Sequence, residues 1–319
     1  MALQLGLAPD PTKPAEADNP KTFVAKKGGI AGKWASKSID AITRHDVLNI
    51  IDAAVDRGAP MAANRTLALL KKLFGWCVSR GLITSSPTAG IQKPAAERSR
   101  DRVLADRELR AIWQACDRLT WPFGPFVRLV ILTGQRRDEV ASITRGELDL
   151  QNRLWAIPAE RAKNGVAHGV LLSAPALAII EAAPIIAGDR GLIFTTNGRT
   201  AVSGFSKAKR RLDELALALL RKEASDRGDD PEIVTLPDRR LHDIRRTVAT
   251  GMARLGINLP VIEKVLNHVS GSFAGIVGVY QRHKFEDEKR KALEAWASFV
   301  SALVADKGNG NVIPMRAAQ

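Results

Sequence analysis

The chain has 319 residues, enough for two or three domains, and is 45% apolar and 26% charged. That composition excludes a mostly disordered chain and a collagen-like repeat, and no run of about 18 uncharged apolar residues is present to form a transmembrane helix. Lysine and arginine outnumber aspartate and glutamate by 48 to 34, a net charge of +14, which points to a polyanionic partner.

The basic excess is spread along the chain. Residues 1–97 carry 13 basic and 8 acidic side chains, and residues 98–319 carry 35 and 26. A spread excess suits a protein that surrounds nucleic acid with more than one domain; the plainer reading is solubility. The opening residues show no basic stretch followed by an apolar one, so they do not read as a secretory signal. Cys77 and Cys116 are too few for a disulfide framework, and a reducing cytoplasm fits them better.

Residues 1–38 are poor in large apolar side chains and read as linker or disordered chain. Thr43, with Asp46 three residues on, predicts a helix start, and Val47, Ile50, Ile51 and Ala54 give that helix an apolar stripe. A second helix is predicted over 62–80, where Leu67, Leu70, Phe74 and Cys77 share one face, until Gly81 stops it. Residues 39–92 therefore read as one helical module. The polar stretch 93–102, with Pro94, reads as an interdomain linker, 103–304 as a second domain, and 305–319 as a flexible tail.

In the second domain, Asp106 stands near the cap of a first helix. A buried helix begins within Pro125 to Leu132 and breaks at Thr133-Gly134. Residues 154–158 and 169–173 read as strands, and Asn164-Gly165 between them is a hairpin signal. Residues 174–187 read as helical. A basic helix over 205–224 carries Lys207, Lys209, Arg210 and Arg211, and a polar loop covers 225–238. Further helices are expected at 242–255, 259–267 and 286–304. The fold class is mainly α with a small antiparallel β-sheet (α+β).

Metal chemistry is poorly supported: none of His45, His168, His242, His268 and His283 stands in a ligand-spaced pair. Phosphate-binding P-loops, dinucleotide-binding glycine patterns and serine nucleophile elbows are missing too. No metal and no cofactor is expected. Basic residues in apolar company remain. Arg136 follows a helix and a glycine break. His242 and Arg245 lie three apart on one helical face. His268 ends an apolar helix, Lys163 lies at the expected hairpin turn, and Tyr280 is the single tyrosine. Arginine offers paired donors to phosphate oxygens, histidine and lysine move protons, and tyrosine can be a nucleophile.

Each residue also has a plainer reading. Arg136 and Arg137 could be a solvated basic pair, Lys163 an ordinary turn lysine, and His242 and His268 helix caps. Tyr280 could be a core aromatic. His168 and His283 read as surface or supporting residues, and His45 as facing DNA or idle.

Taken in order, Thr133-Gly134-Gln135-Arg136 with Glu139, a hairpin lysine, Leu241-His242-Asp243-Ile244-Arg245-Arg246-Thr247, Leu266-Asn267-His268 and Val279-Tyr280-Gln281-Arg282-His283 resemble a tyrosine recombinase of the phage-integrase family. The likeness is to integrases of genomic islands and satellite prophages, and it spans residues 39–304. It implies a helical core-binding domain and a catalytic domain that clamp duplex DNA at attachment sites. It implies site-specific cutting and rejoining through a 3′-phosphotyrosyl bond, without metal or ATP, to integrate or excise a mobile element.

The family register favours Arg136 over Arg137. Arg136 and Arg245 would hold the scissile phosphate, Tyr280 would attack it, and Lys163 would protonate the leaving 5′ oxygen. His242 would assist proton transfer, His268 would donate a hydrogen bond to the phosphate, and Glu139 would support Arg136. The resemblance further implies a homotetramer on DNA, a possible host bending protein or excision factor, no membrane partner, and a place at the bacterial nucleoid. The helix after Tyr280, with Leu293, Trp296, Val300 and Leu303 in a stripe, would either pack on its own domain or dock on a neighbouring protomer.

The front end departs from the family pattern. A separate arm-binding domain is not seen, and Gly32-Lys33-Trp34-Ala35 reads as a remnant of the first core-binding helix. A truncated integrase that binds DNA without recombining it is therefore the alternative function, and a relaxase resembling type IB topoisomerases is a third.

Overall fold

The computed structural model describes residues 7–9, 23–25, 29–97, 101–268 and 285–305. The chain divides into two compact units, Met1–Arg100 and Asp101–Gln319.

The first unit is built on two helices, α2 (Arg44–Asp56) and α3 (Pro60–Ser79), preceded by the helical turn α1 (Ile30–Lys33). Thr43 and Asp46 form the expected reciprocal cap. The Asp46 amide donates to the Thr43 hydroxyl at 3.2 Å, and the Thr43 amide donates to the Asp46 carboxylate at 2.9 Å. Val47, Ile51 and Ala54 of α2 meet Ala63, Leu67, Leu70 and Phe74 of α3 in one core. Truncating the fully buried Phe74 to alanine would remove about 3–5 kcal/mol.

Residues 29–38, expected as linker, fold onto this unit. The Trp34 ring lies 6.2 Å from that of Phe74, and Ile39 packs beside the same core. One tryptophan and one isoleucine suffice, although the surrounding small polar residues dilute the signal. Strands β1 (Leu7–Pro9) and β2 (Phe23–Ala25) pair antiparallel, Leu7 opposite Ala25. Residues 95–97 are tied to α3, because the Asn64 amide donates to the Ala95 carbonyl at 2.8 Å and to the Glu97 carboxylate at 3.1 Å.

The second unit is arranged around α5 (Phe123–Thr133), whose residues from Phe126 to Thr133, apart from Arg128, are buried. A helix apolar on all sides must be surrounded. Here α4 (Asp106–Ala115), α6 (Arg137–Ala141), α7 (Ala174–Glu181), α9 (Leu241–Arg254) and α11 (Glu286–Ala305) contact it. The long helix α8 (Phe205–Asp226) packs on α4, where Arg107 and Arg110 both pair with Glu223. Within the basic stretch of α8, Lys209 pairs with Asp213 and Asp238, and Arg211 with Glu214. Helix α10 (Leu259–Val265) lies against α9 and α11.

The sheet is an antiparallel meander of β3 (Leu148–Asp149), β4 (Leu154–Ile157) and β5 (His168–Leu171). Trp155 faces Leu148 on one side and Val170 on the other, and Ile157 faces His168. Trp155 and Ile157 alternate into the core, as the period of a strand requires. Mainly helical with a small antiparallel sheet is thus the observed class.

Three local expectations meet the structure as follows. The expected hairpin is present, β4 pairing antiparallel with β5, and Asn164-Gly165 turns within its loop 158–167 with Gly165 at φ +69°. Helix α7 stops at Glu181, not 187, and Pro184 follows. The stripe on α11 is occupied within its own unit: Leu293, Trp296 and Val300 are buried there, and the Trp296 indole donates to the Ile131 carbonyl at 2.8 Å. In the single chain that face is thus covered by its own unit. Among the described residues no helix is long and apolar enough to cross a membrane.

Candidate active site

The site forms where the C-terminus of α5, the start of α6, the loop 158–167, the N-terminal half of α9 and the end of α10 meet. Gly134 ends α5 in the left-handed conformation at φ +64°. A Cβ there would lie 2.9 Å from Leu266 and 3.0 Å from Val248, so glycine is needed for both its torsion and its space. Gln135, fully buried, donates from its amide to the carbonyls of Thr133 and Val265, which fastens this turn to α10.

Arg136 then stands at the mouth of α6. Its guanidinium donates to the Glu139 carboxylate at 3.0 Å and to the Asn267 carbonyl at 3.2 Å, while its backbone amide meets the other Glu139 oxygen at 3.2 Å. Arg137, by contrast, is exposed and turns to Asp138. Arg245 projects from α9 and is 3% exposed. Its guanidinium donates to the Gly134 carbonyl at 2.8 Å and to the Leu266 carbonyl. Burial, then the nearby Arg136 charge, bring its pKa down to about 9, with Glu139 opposing. Two guanidiniums thus lie near one another with one carboxylate, bonded to Arg136, acting on both, an excess of positive charge that an anion would offset.

Lys163 is exposed on the loop 158–167, and its backbone amide donates to Glu139 at 3.4 Å. His242 lies one turn before Arg245 on α9, and His268 follows α10. Both rings have pKa values below the ordinary 6.5, first through burial and then through Arg245; Lys163 acts on His242, and Arg136 and His242 act on His268. The structure therefore brings Arg136, Glu139, Lys163, His242, Arg245 and His268 into one electrostatic neighbourhood. Tyr280 and His283 lie outside the described residues. His45 is exposed on α2, in the other unit.

His168, expected at the surface or in support, is buried. Its ring nitrogen meets the Val265 carbonyl at 3.1 Å, and burial pushes its pKa down to about 4. Sequence reasoning missed four other contributors. Asn267 takes a left-handed φ of +51°, which asparagine tolerates, and presents its carbonyl to Arg136 and Asn164. Arg161 ties the loop to Glu147 and α6. The buried Arg239 pairs with Asp213 at 2.6 Å just ahead of α9. Thr247 accepts from the Leu104 amide at 2.9 Å, anchoring the chain where it enters this unit. The only sequence cue was that Asn267 and Thr247 stand within the quoted motifs. Among the described residues no group of three or more metal-ligand side chains occurs.

Comparisons with known proteins agree with this organisation. Residues 30–94 match the Phage integrase central domain and residues 102–286 match the Phage integrase family. Tyrosine recombinase XerC of Mycobacterium tuberculosis (strain ATCC 25177 / H37Ra) is 27% identical over 242 residues, which cover 73% of this chain and 77% of that protein. Prophage integrase IntA of Escherichia coli (strain K12) is 25% identical over 276 residues, 85% of this chain and 62% of IntA. Among solved structures, lambda integrase (residues 75–356) as a dimer bound to a COC′ core site aligns with TM-score 0.53 at 18% identity, covering 73% of this chain and 81% of that one. The Tn1549 transposon integrase in complex with a circular intermediate DNA aligns with TM-score 0.55 at 13% identity, covering 81% and 86%. Those two likenesses are of fold. The matched family sequence spans more than half of the chain, and the chain belongs to the phage integrase family of tyrosine recombinases.

Proposed function

We propose that the chain is a site-specific DNA recombinase that cuts and rejoins duplex attachment sites through a covalent 3′-phosphotyrosyl intermediate. The observation that carries this reading is the proximity of Arg136 and Arg245. They bond the successive carbonyls of Asn267 and Leu266, near enough for the Arg136 charge to act on Arg245, which is buried and fixed by two carbonyls. A preorganised pair of guanidiniums matches the oxygens of a phosphodiester and stabilises charge that develops on them in the transition state.

Each side chain then has a task. Arg136 and Arg245 bind the two non-bridging oxygens, and Glu139 orients Arg136. The Tyr280 hydroxyl attacks phosphorus as the bond to the 5′ oxygen breaks. Its proton leaves with help from His242, and Lys163 supplies a proton to the departing oxygen. His268 donates a hydrogen bond to the phosphate. The phosphotyrosyl bond conserves the diester, so a 5′ hydroxyl from a partner strand displaces tyrosine and restores DNA without ATP or metal.

Integration or excision of a mobile element needs two duplexes. A homotetramer on DNA follows by analogy with the lambda integrase tetramer bound to a Holliday junction. A host bending protein or an excision factor, and action at the nucleoid, belong to the same reading. The test is covalent capture: incubation with sheared DNA of the source genome, without added metal, followed by denaturation and sequencing of protein-linked fragments. Enrichment of one junction sequence, lost in Tyr280→Phe, is expected. Tight DNA binding with no linked fragments would instead leave a protein that binds without recombining.

A further inference from the structure

Lys163 sits on an exposed loop, a poor place for a proton donor that must meet one oxygen within a few tenths of an ångström. The residues beside it solve this problem. Two positions before it, Arg161 is held on three sides: its guanidinium donates to the Glu147 carboxylate at 2.6 Å, to the Ser142 hydroxyl at 2.5 Å and to the Glu139 carbonyl at 3.3 Å. Glu147 is fixed in turn by the Trp155 indole at 2.9 Å. One position after it, Asn164 donates to the Asn267 carbonyl at 3.1 Å and to the Asn267 side-chain oxygen at 3.0 Å. The Asn267 amide returns a bond to Asn164 at 3.3 Å.

These anchors reach the rest of the site. Arg161 bonds the carbonyl of Glu139, the residue that holds Arg136. Asn164 and Arg136 share the Asn267 carbonyl, one residue before His268. The Lys163 amide itself meets the Glu139 carboxylate. We infer that Arg161 and Asn164 are positioning residues that clamp the loop on both sides of Lys163 and set its ammonium in register with the arginine pair. The inference rests on the reading of Lys163 as the acid that protonates the 5′ leaving oxygen.

Leaving-group chemistry isolates this role. Replacing the bridging 5′ oxygen of the scissile diester with sulfur gives a thiolate leaving group, whose conjugate acid has a pKa near 8.5 in a typical thiol, far below that of an alcohol. Such a group departs without a proton. A defect that lies only in proton delivery vanishes on the sulfur substrate, and a defect in phosphate binding or folding does not.

The experiment is single-turnover cleavage of a suicide duplex carrying the captured junction sequence, with oxygen or sulfur at the bridging position. The full-length chain, Lys163→Ala, Asn164→Ala and Arg161→Lys are compared. General-acid catalysis contributes about 10²–10⁴-fold. Lys163→Ala should lose that on oxygen and recover on sulfur. Asn164→Ala, and Arg161→Lys with its charge kept but its fork removed, should each lose about 10-fold or more on oxygen and recover likewise. Recovery of Lys163→Ala without recovery of the other two would overturn the positioning role, as would wild-type rates for both on oxygen. A Lys163→Ala enzyme equally slow on both substrates would overturn the acid role of Lys163 itself, and the inference with it.

Discussion

The indole of Trp296 donates to the carbonyl of Ile131, and its ring lies against Gly251 of α9. Helix α11 is thereby pinned to the centre of its own unit. A Cβ at Gly251 would come within 2.2 Å of the Trp296 ring. Helix propensity alone favours Gly251→Ala by about 1 kcal/mol, but overpacking of this kind costs about 1–3 kcal/mol. Because the clash at 2.2 Å is severe, the upper part of that range applies, a net loss of about 2 kcal/mol, and Gly251→Ala should lower the melting temperature by about 4–8 °C. Removing residues 286–319 should abolish cooperative unfolding of the second unit rather than only weaken assembly. An unchanged melting curve for either variant would contradict this packing.

Arg245 tests the guanidinium pair. Arg245→Lys keeps the charge but cannot serve the Gly134 and Leu266 carbonyls and a phosphate together. Cleavage should fall about 10²–10³-fold, while DNA affinity, spread over many phosphates, should change less than about 10-fold. Rate measurement beside a binding titration separates the two, and equal losses in both would remove the claim of transition-state stabilisation.

Much of this arrangement was legible because it is local. The Thr43 and Asp46 cap, the buried face of α3 and the order of the short motifs all sit within a few residues of one another. What escaped depends on distant partners. Asn164 and Asn267 are separated by 103 positions, and nothing near Arg161 announces Glu147. Whether His168 stood at the surface or in support stayed open in the sequence, because a lone histidine carries no sign of the α10 carbonyl beside it. The stripe of α11 was read correctly as apolar, yet periodicity does not say which surface it covers, and here the surface belongs to the same unit.

His168 makes stability depend on pH. Its pKa in the folded chain is lowered from 6.5 to about 4, so the unfolded chain binds the proton more readily. Its contribution is fully present above 6.5 and is lost as pH falls from 6.5 towards 4, a change of about 3 kcal/mol. Urea unfolding across that window should show the loss, and His168→Gln should flatten it. A His168→Gln curve parallel to wild type would place the dependence elsewhere.

His242 and His268 carry lowered pKa values for the same first reason, burial, with Arg245 next. The neutral form of both rings therefore predominates at pH 6.5, and the acid limb of cleavage, read as kcat/KM, should be centred below that value. A limb centred above 6.5 would mean that protonated rings are not the inhibited form.

The central claim is a covalent bond between Tyr280 and DNA. The most direct measurement is tryptic digestion and mass spectrometry of the trapped adduct. Cleavage after Lys264 and Arg282 releases the peptide 265–282, which contains the chain's single tyrosine. The account predicts that peptide bearing a 3′-phosphonucleotide on Tyr280, and no adduct from Tyr280→Phe. An adduct on any other residue, or none when the junction sequence is bound and nicked, would contradict it.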